Sequence, residues 1–297
     1  MVNENDALAS NMLFNRIVPH LIPVGEGIAR SLRTPEESNE ILFSIFHAWT
    51  NTIARLCIGL RRLGTGGSYL ITPTTPSPML NISYQLPYNR LGDSLMLGIL
   101  DSRYDSDARA KKREQMKSGS VSSSAVIESS FAEADAQDRE SEITGAVKLA
   151  TSLASVDGAV LLSPLLEVIG FGVKIGSGTP ATTVYDGSDF VRKGVRAKKI
   201  NLARFGTRHS SMLRYCRSDP TAVGIVVSQD GHVRVMMTSG KSLVFWDNVK
   251  LLQYSNYSAK MARNKLNFRL RNRKGKYKRK LGYTSMPKTI AALLARK

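Results

Sequence analysis

Between Asp157 and Asp247 the chain is a succession of short apolar runs cut by turn residues, and this pattern constrains the fold more than any other feature. Residues 159–162 and 165–175 read as two strands meeting at Ser163-Pro164, a hairpin signal. A glycine-containing loop spans 176–200. Gly206-Thr207-Arg208-His209 then forms a donor-rich turn before a short helical pattern that begins near Ser211 and ends near Ser218-Asp219-Pro220. Residues 222–228 and 232–237 form a hairpin around Gln229-Asp230-Gly231, and 242–246 adds a further strand. A helix from near Asp138 to Ser155, with Ile143, Val147, Leu149 and Leu153 facing inward, delivers the chain to Asp157. Residues 137–250 therefore read as one α/β domain with a mixed sheet flanked by helices.

The N-terminal third is patterned differently. Residues 35–63 carry an apolar stripe (Ile41, Ile45, Trp49, Ile53, Leu56, Leu60) at three- and four-residue spacing. Thr34 caps this helix, Pro35 suits its first turn, Glu37 completes a capping box and Gly64 ends it. Gly64-Thr65-Gly66-Gly67 runs helix, glycines, strand, the reverse of a phosphate loop, and reads as a turn into a strand over 68–72. A second strand over 80–86 alternates through Ile82 and Tyr84, Pro87 stops it, and a helix follows near 88–100. Residues 1–100 are expected to form a smaller α+β accessory domain. Residues 101–136 are charged and then serine-rich, with seven serines among the thirteen residues 118–130, and read as a flexible linker. No internal repeat is visible.

Of the 297 residues, 42 are Lys or Arg and 24 are Asp or Glu, a net charge of +18. No acidic residue follows Asp247, and residues 248–297 hold fifteen Lys and Arg, so the rest of the chain carries only about +3. The high net charge thus belongs to a tail, 251–297, densest over 260–280, whose aromatic neighbours Phe268, Tyr277 and Tyr283 suit stacking on nucleic-acid bases. A solvated extension, an anionic lipid or an acidic protein partner fits the same charge. Cys57 and Cys216 lie in apolar helical patterns and read as buried free thiols, with no disulfide framework or metal-type Cys/His spacing. His20, His47 and His232 carry no partner spacing. The acidic N-terminus is no secretory signal, no apolar run approaches the ~20 residues that span a bilayer, and a cytoplasmic protein is expected.

Asp157-Gly158-Ala159 sits at the mouth of an apolar strand, and Gly206–His209 opens a helix about fifty residues later. A carboxylate on a strand end holds a metal or polarises a hydroxyl, and a helix-start turn bearing a guanidinium and an imidazole holds phosphates. With Gly172-Val173-Lys174-Ile175 and Val226-Val227-Ser228 between and after them, these four blocks stand in the order and spacing of a domain of about 100 residues that they resemble, the diadenylate cyclase domain found in the DNA-integrity scanning protein and its relatives. The N-terminal 100 residues are similar to the accessory, sensor-like region of bacterial members.

The resemblance implies a metal-dependent condensation of two ATP molecules, with Mn²⁺ or Mg²⁺, into the second messenger cyclic di-AMP and pyrophosphate. It assigns Asp157 to activation of the ribose 3′-hydroxyl, and Asp157 and His209 to metal binding. Gly158 and Ala159 approach the nucleotide, Ile175 offers backbone contacts to adenine, Gly206, Thr207, Arg208 and His209 hold the triphosphate, and Ser228 lines the phosphate pocket. One domain holds one ATP, so a homodimer or larger assembly with facing sites is implied. The chain departs from the family at Ser210, where a second Arg usually follows, and at Gln229-Asp230, where two glutamates are usual. Those departures admit an alternative: a weak or inactive nucleotide-binding sensor with a basic nucleic-acid-binding tail.

Overall fold

The computed structural model describes residues 7–33, 37–73, 77–117, 123–176, 183–191 and 194–251. Thr34, Pro35 and the tail from 252, including 260–280, lie outside the described residues. Among the described residues six α-helices surround one eight-stranded mixed sheet. In chain order they are α1 (Asn11–Ser31), α2 (Ser38–Leu63), β1 (Gly67–Ile71), β2 (Leu80–Tyr88), α3 (Arg90–Lys117), α4 (Ser123–Ala154), β3 (Ala159–Leu162), β4 (Val168–Ile175), β5 (Val184–Asp186), the single-turn α5 (Gly187–Phe190), α6 (Thr207–Ser218), β6 (Val223–Val227), β7 (Val233–Ser239) and β8 (Ser242–Trp246).

The strand order is β2-β4-β3-β1-β6-β7-β8-β5. β1 pairs in parallel with β3 (Tyr69 opposite Val160) and antiparallel with β6 (Gly67 opposite Val227), so the boundary expected near residue 100 does not divide the sheet. β1 is a central strand, buried along its whole length. β2 extends the same sheet at one end, pairing with β4. Local patterning reports each strand but not its partners, which here lie far along the chain.

Alternate residues of the central strands face opposite layers. Tyr69, Ile71, Val160, Leu162, Ile225 and Val235 pack under α1 to α4, and Leu70, Leu161, Val226, Met236 and Phe245 pack under α6. Trp49 of α2 is fully buried and donates its indole N–H to the Pro164 carbonyl at 2.8 Å, tying the helical layer to the β3–β4 turn. From α1, the Arg16 guanidinium donates to the carbonyls of Ala222 (2.6 Å) and Thr238 (2.5 Å) at the far edge of the sheet. By length and composition α2 is the one described helix able to cross a membrane, and 61% of its apolar window is buried inside the fold.

The expected linker is helical on both sides of residues 118–122. α3 runs on to Lys117, and α4 begins at Ser123. The two helices pair, and Arg139 ties them by bridging Asp101 on α3 (3.3 Å) and Glu142 on α4 (2.6 Å), while Glu142 also meets Arg90 (3.3 Å) and accepts from Ser94 (3.1 Å). Serine's weak helix propensity costs only tenths of a kcal/mol per residue, less than the packing of one helix on another returns.

Both cysteines are free and buried, as their apolar settings predict, and burial pushes each thiol up to about 12. Neither is expected to react with a chromogenic disulfide at pH 8 while the protein is folded, and both should react in denaturant; titration of thiols with and without guanidinium checks this.

Candidate functional site

The residues singled out in the sequence collect along one edge of the sheet, the row of strand ends formed by β4, β3, β1 and β6. The antiparallel β3–β4 pair sets Ala159 opposite Val173, which carries Asp157 alongside the end of β4 at Ile175. Parallel pairing brings the start of β1 beside the start of β3, and the antiparallel β1–β6 pair brings the end of β6, followed by Ser228, beside Gly67. From one side to the other this edge therefore reads Ile175, Asp157-Gly158, Gly66-Gly67, Ser228. Neighbouring strands are about 4.8 Å apart, so Asp157 and Ser228 face each other across roughly two strand spacings.

α6 reaches the same edge because of how it packs. Its Met212 and Cys216 lie over Gly224 near the start of β6, where a Cβ would come within 2.3 Å of Met212 and 3.2 Å of the Cys216 sulfur. His209 in its first turn meets Ser228 just past the end of β6, so the helix runs antiparallel to that strand. The helix begins at Thr207, four residues before the sequence pattern places it. Thr207, Arg208 and His209 thus belong to its first turn, with Gly206 as the N-cap and no side-chain cap on the first N–H groups. Those uncapped N–H groups and the positive end of the helix dipole favour an anion.

Asp157 is exposed at the end of the α4–β3 turn. Ala159 is buried beneath α6, and Ile175 packs beside the same cluster. Gly158 has φ +106°, and a Cβ on it would lie 2.6 Å from the Gly172 carbonyl carbon and 2.8 Å from the Val173 nitrogen. Glycine is thus needed there to let the chain pass β4, an intramolecular reason beside the approach to a nucleotide that the resemblance implies. Ser68 donates to the Gly158 carbonyl at 3.3 Å, fixing the turn from β1.

The glycine turn read as a mere connection also lines the site. Gly66, at φ +66°, lies against β6 and α6 together: a side chain there would approach the Val227 carbonyl to 3.1 Å and the Arg208 guanidinium to 3.3 Å. Arg208 thus reaches over the start of β1.

His209 is buried under this edge. Its ring packs on Phe205 (5.3 Å between centroids), which packs in turn on Phe245 (4.9 Å). Its Nε2 lies 3.3 Å from Ser228 Oγ and 3.4 Å from a terminal nitrogen of Arg234. A guanidinium only donates, so Nε2 is the acceptor and the ring proton sits on Nδ1. Burial, then the Arg234 charge, pushes the imidazole down to about 4, so it is neutral at pH 7. An Nε2 lone pair turned to a guanidinium does not serve a cation. The metal role expected of His209 therefore does not fit, whereas the exposed Asp157 carboxylate does. Among the described residues no group of three His, Cys, Asp or Glu side chains gathers as a metal site.

Arg234, on β7, was not singled out in the sequence. It is buried and donates to Asp247 (2.8 Å), Asp230 (3.2 Å) and Ser228, and its guanidinium lies 5.3 Å from the Phe205 ring centroid. The signal was a single charge in the otherwise apolar strand Val233-Arg234-Val235-Met236-Met237, a position that needs buried partners. Ser228 is held from two sides, accepting from Arg234 and facing His209. Ser210 bonds back to the Gly206 carbonyl at 3.4 Å and adds no charge to the cluster. No family model matches this chain, and no curated protein matches it.

Proposed function

We propose that this sheet edge binds ATP and that the chain condenses two ATP molecules into cyclic di-AMP and pyrophosphate, two copies facing each other so that each ATP meets the other's α-phosphate. The observation that supports this most is the meeting of Asp157-Gly158, Ile175, Arg208-His209 and Ser228 at one edge, although they are spread over about 70 residues.

Asp157 would hold a divalent cation beside the bound nucleotide, and that cation would supply charge that makes the hydroxyl a stronger nucleophile. Asp157 accepts the proton of the ribose 3′-hydroxyl as its oxygen forms a bond to the α-phosphorus of the second ATP. The bond from that phosphorus to the β-bridging oxygen breaks, and pyrophosphate leaves carrying the electron pair. Arg208, Thr207 and the uncapped N–H groups of α6 oppose the charge that develops on the departing phosphates. The backbone at Ile175 meets adenine.

Incubation of purified protein with ATP and Mn²⁺ or Mg²⁺, with products read by mass spectrometry, tests the proposal: cyclic di-AMP is expected, and its absence from a protein that binds no ATP overturns it. The Ser210 side chain favours a second reading, because its bond to Gly206 leaves the phosphate clamp one cation short of the family's pattern. ATP binding by calorimetry without product would place the chain among nucleotide sensors. The tail 251–297 is proposed to bring either form to nucleic acid. Retention on single-stranded nucleic acid should weaken steeply with salt and disappear when 259–297 is deleted.

A further inference from the structure

We infer that Arg234 is a positioning residue that fixes His209 in its Nδ1–H form and so makes the imidazole a neutral hydrogen-bond donor to a phosphate oxygen of the bound nucleotide. The phosphate half of this inference rests on the ATP reading above; the Arg234–His209 half stands on geometry alone.

Arg234 has its own place secured from outside the ring. Nε donates to Asp247 and one terminal nitrogen to Asp230, so the second terminal nitrogen is left pointing at Ser228 and at Nε2 of His209. Ser228 Oγ accepts from that nitrogen and keeps its own proton for Nε2, 3.3 Å away. Both neighbours of Nε2 therefore present hydrogen to it, and a neutral ring has one remaining place for its proton, Nδ1.

That Nδ1 is buried and has no hydrogen-bond partner in the protein, although His209 is only 8% exposed. A buried donor left unsatisfied is costly and rare in folded proteins. His209 stands in the first turn of α6, where the backbone N–H groups also lack a side-chain cap and from which Arg208 extends toward Gly66. An anionic oxygen at this helix start would satisfy all of these donors together. The charged groups facing the ring are Arg208 on its own helix, Arg234 on β7, Asp230 in the β6–β7 turn and Asp247 after β8. Arg234 thereby places a second guanidinium behind the phosphate clamp in a chain where Ser210 brings none.

The test is a long-range ¹H–¹⁵N correlation spectrum of protein labelled in its histidine rings, at pH 7, with the His209 signals identified by their loss in His209→Asn. The Nδ1–H tautomer is expected in the parent and in Arg234→Lys, which keeps a donor toward Nε2. In Arg234→Met, Nε2–H should appear. Asp230 and Asp247 are both partly exposed, so neither is left as a buried charge in that variant, and Arg234→Lys provides a folded comparison in any event. An Nε2–H tautomer in the parent, or an unchanged tautomer in a folded Arg234→Met, overturns the inference. With Mg-ATP added, the Nδ1 proton should move downfield and exchange more slowly. ATP that binds by calorimetry and leaves this proton unmoved overturns the phosphate assignment. A protein that binds no ATP overturns the nucleotide reading instead, while its unliganded spectra still decide the Arg234–His209 relation.

Discussion

Asp157→Asn is expected to abolish formation of cyclic di-AMP while leaving the unfolding transition where it was. The carboxylate is exposed at the end of a turn, and the burial that holds the turn in place belongs to its neighbours Ala154 and Ala159. An amide of the same size therefore costs the fold almost nothing, since surface substitutions usually lie within about 0.5 kcal/mol. The chemistry loses more: an amide neither accepts the 3′-hydroxyl proton nor gives a full negative charge to a cation. Loss of a general base alone typically slows a reaction by about 10²–10⁴-fold. Product formation per unit time, set beside a thermal melt of the same samples, checks both halves. Cyclisation by the variant at the parental rate would move the active carboxylate elsewhere.

Gly158→Ala is expected to cost about 3 kcal/mol or more in stability, because two penalties fall on one methyl group. The residue holds φ +106°, where side chains are strained, and the added carbon would stand 2.6 Å from the backbone of Gly172. Backbone on both sides cannot swing away as a flexible side chain does, so β3 must leave its register with β4. Urea unfolding of parent and variant measures the difference. Gly206→Ala is the control at the other half of the motif: nothing lies within 4 Å of its would-be Cβ and its φ is −70°, so only the N-cap preference for glycine over alanine is lost, about 1 kcal/mol or less. If Gly158 were glycine solely to admit a nucleotide, its variant would keep parental stability and lose only ATP affinity.

Much of this architecture can be read from the chain. The strand patterns near 159–162, 222–228, 232–237 and 242–246 became β3, β6, β7 and β8 with small shifts, because buried strands of Val, Ile and Leu cut by Asp-Gly and Pro leave few alternatives. The helix expected over 35–63 is present as α2 from Ser38. Residues 101–136 misled because serine and charge are also what a solvated helix face displays, and the Arg139 bridge that closes the hairpin depends on contacts thirty-eight residues apart. Within the site, the motif residues could be found because each sits at a strand end or helix start. Arg234 could not be given its role, since its partners come from a turn, a helix and the end of another strand. The identity of the Nε2 acceptor depends on that meeting and not on any spacing in the sequence.

The central place of β1 also governs when the site comes into existence. The strand leaves the ribosome early, but one of its partners, β3, follows about 90 residues later, and the other, β6, about 160 residues after its own start. Until both arrive, β1 presents two unpaired edges, and such long closures are the slow steps of folding. A translation product halted before β6 would hold Asp157 and the glycine turn but lack the wall formed by Ser228 and Arg234. The candidate site is thus among the last features of the molecule to be assembled, and an interrupted chain is left with unpaired strand edges in place of that site.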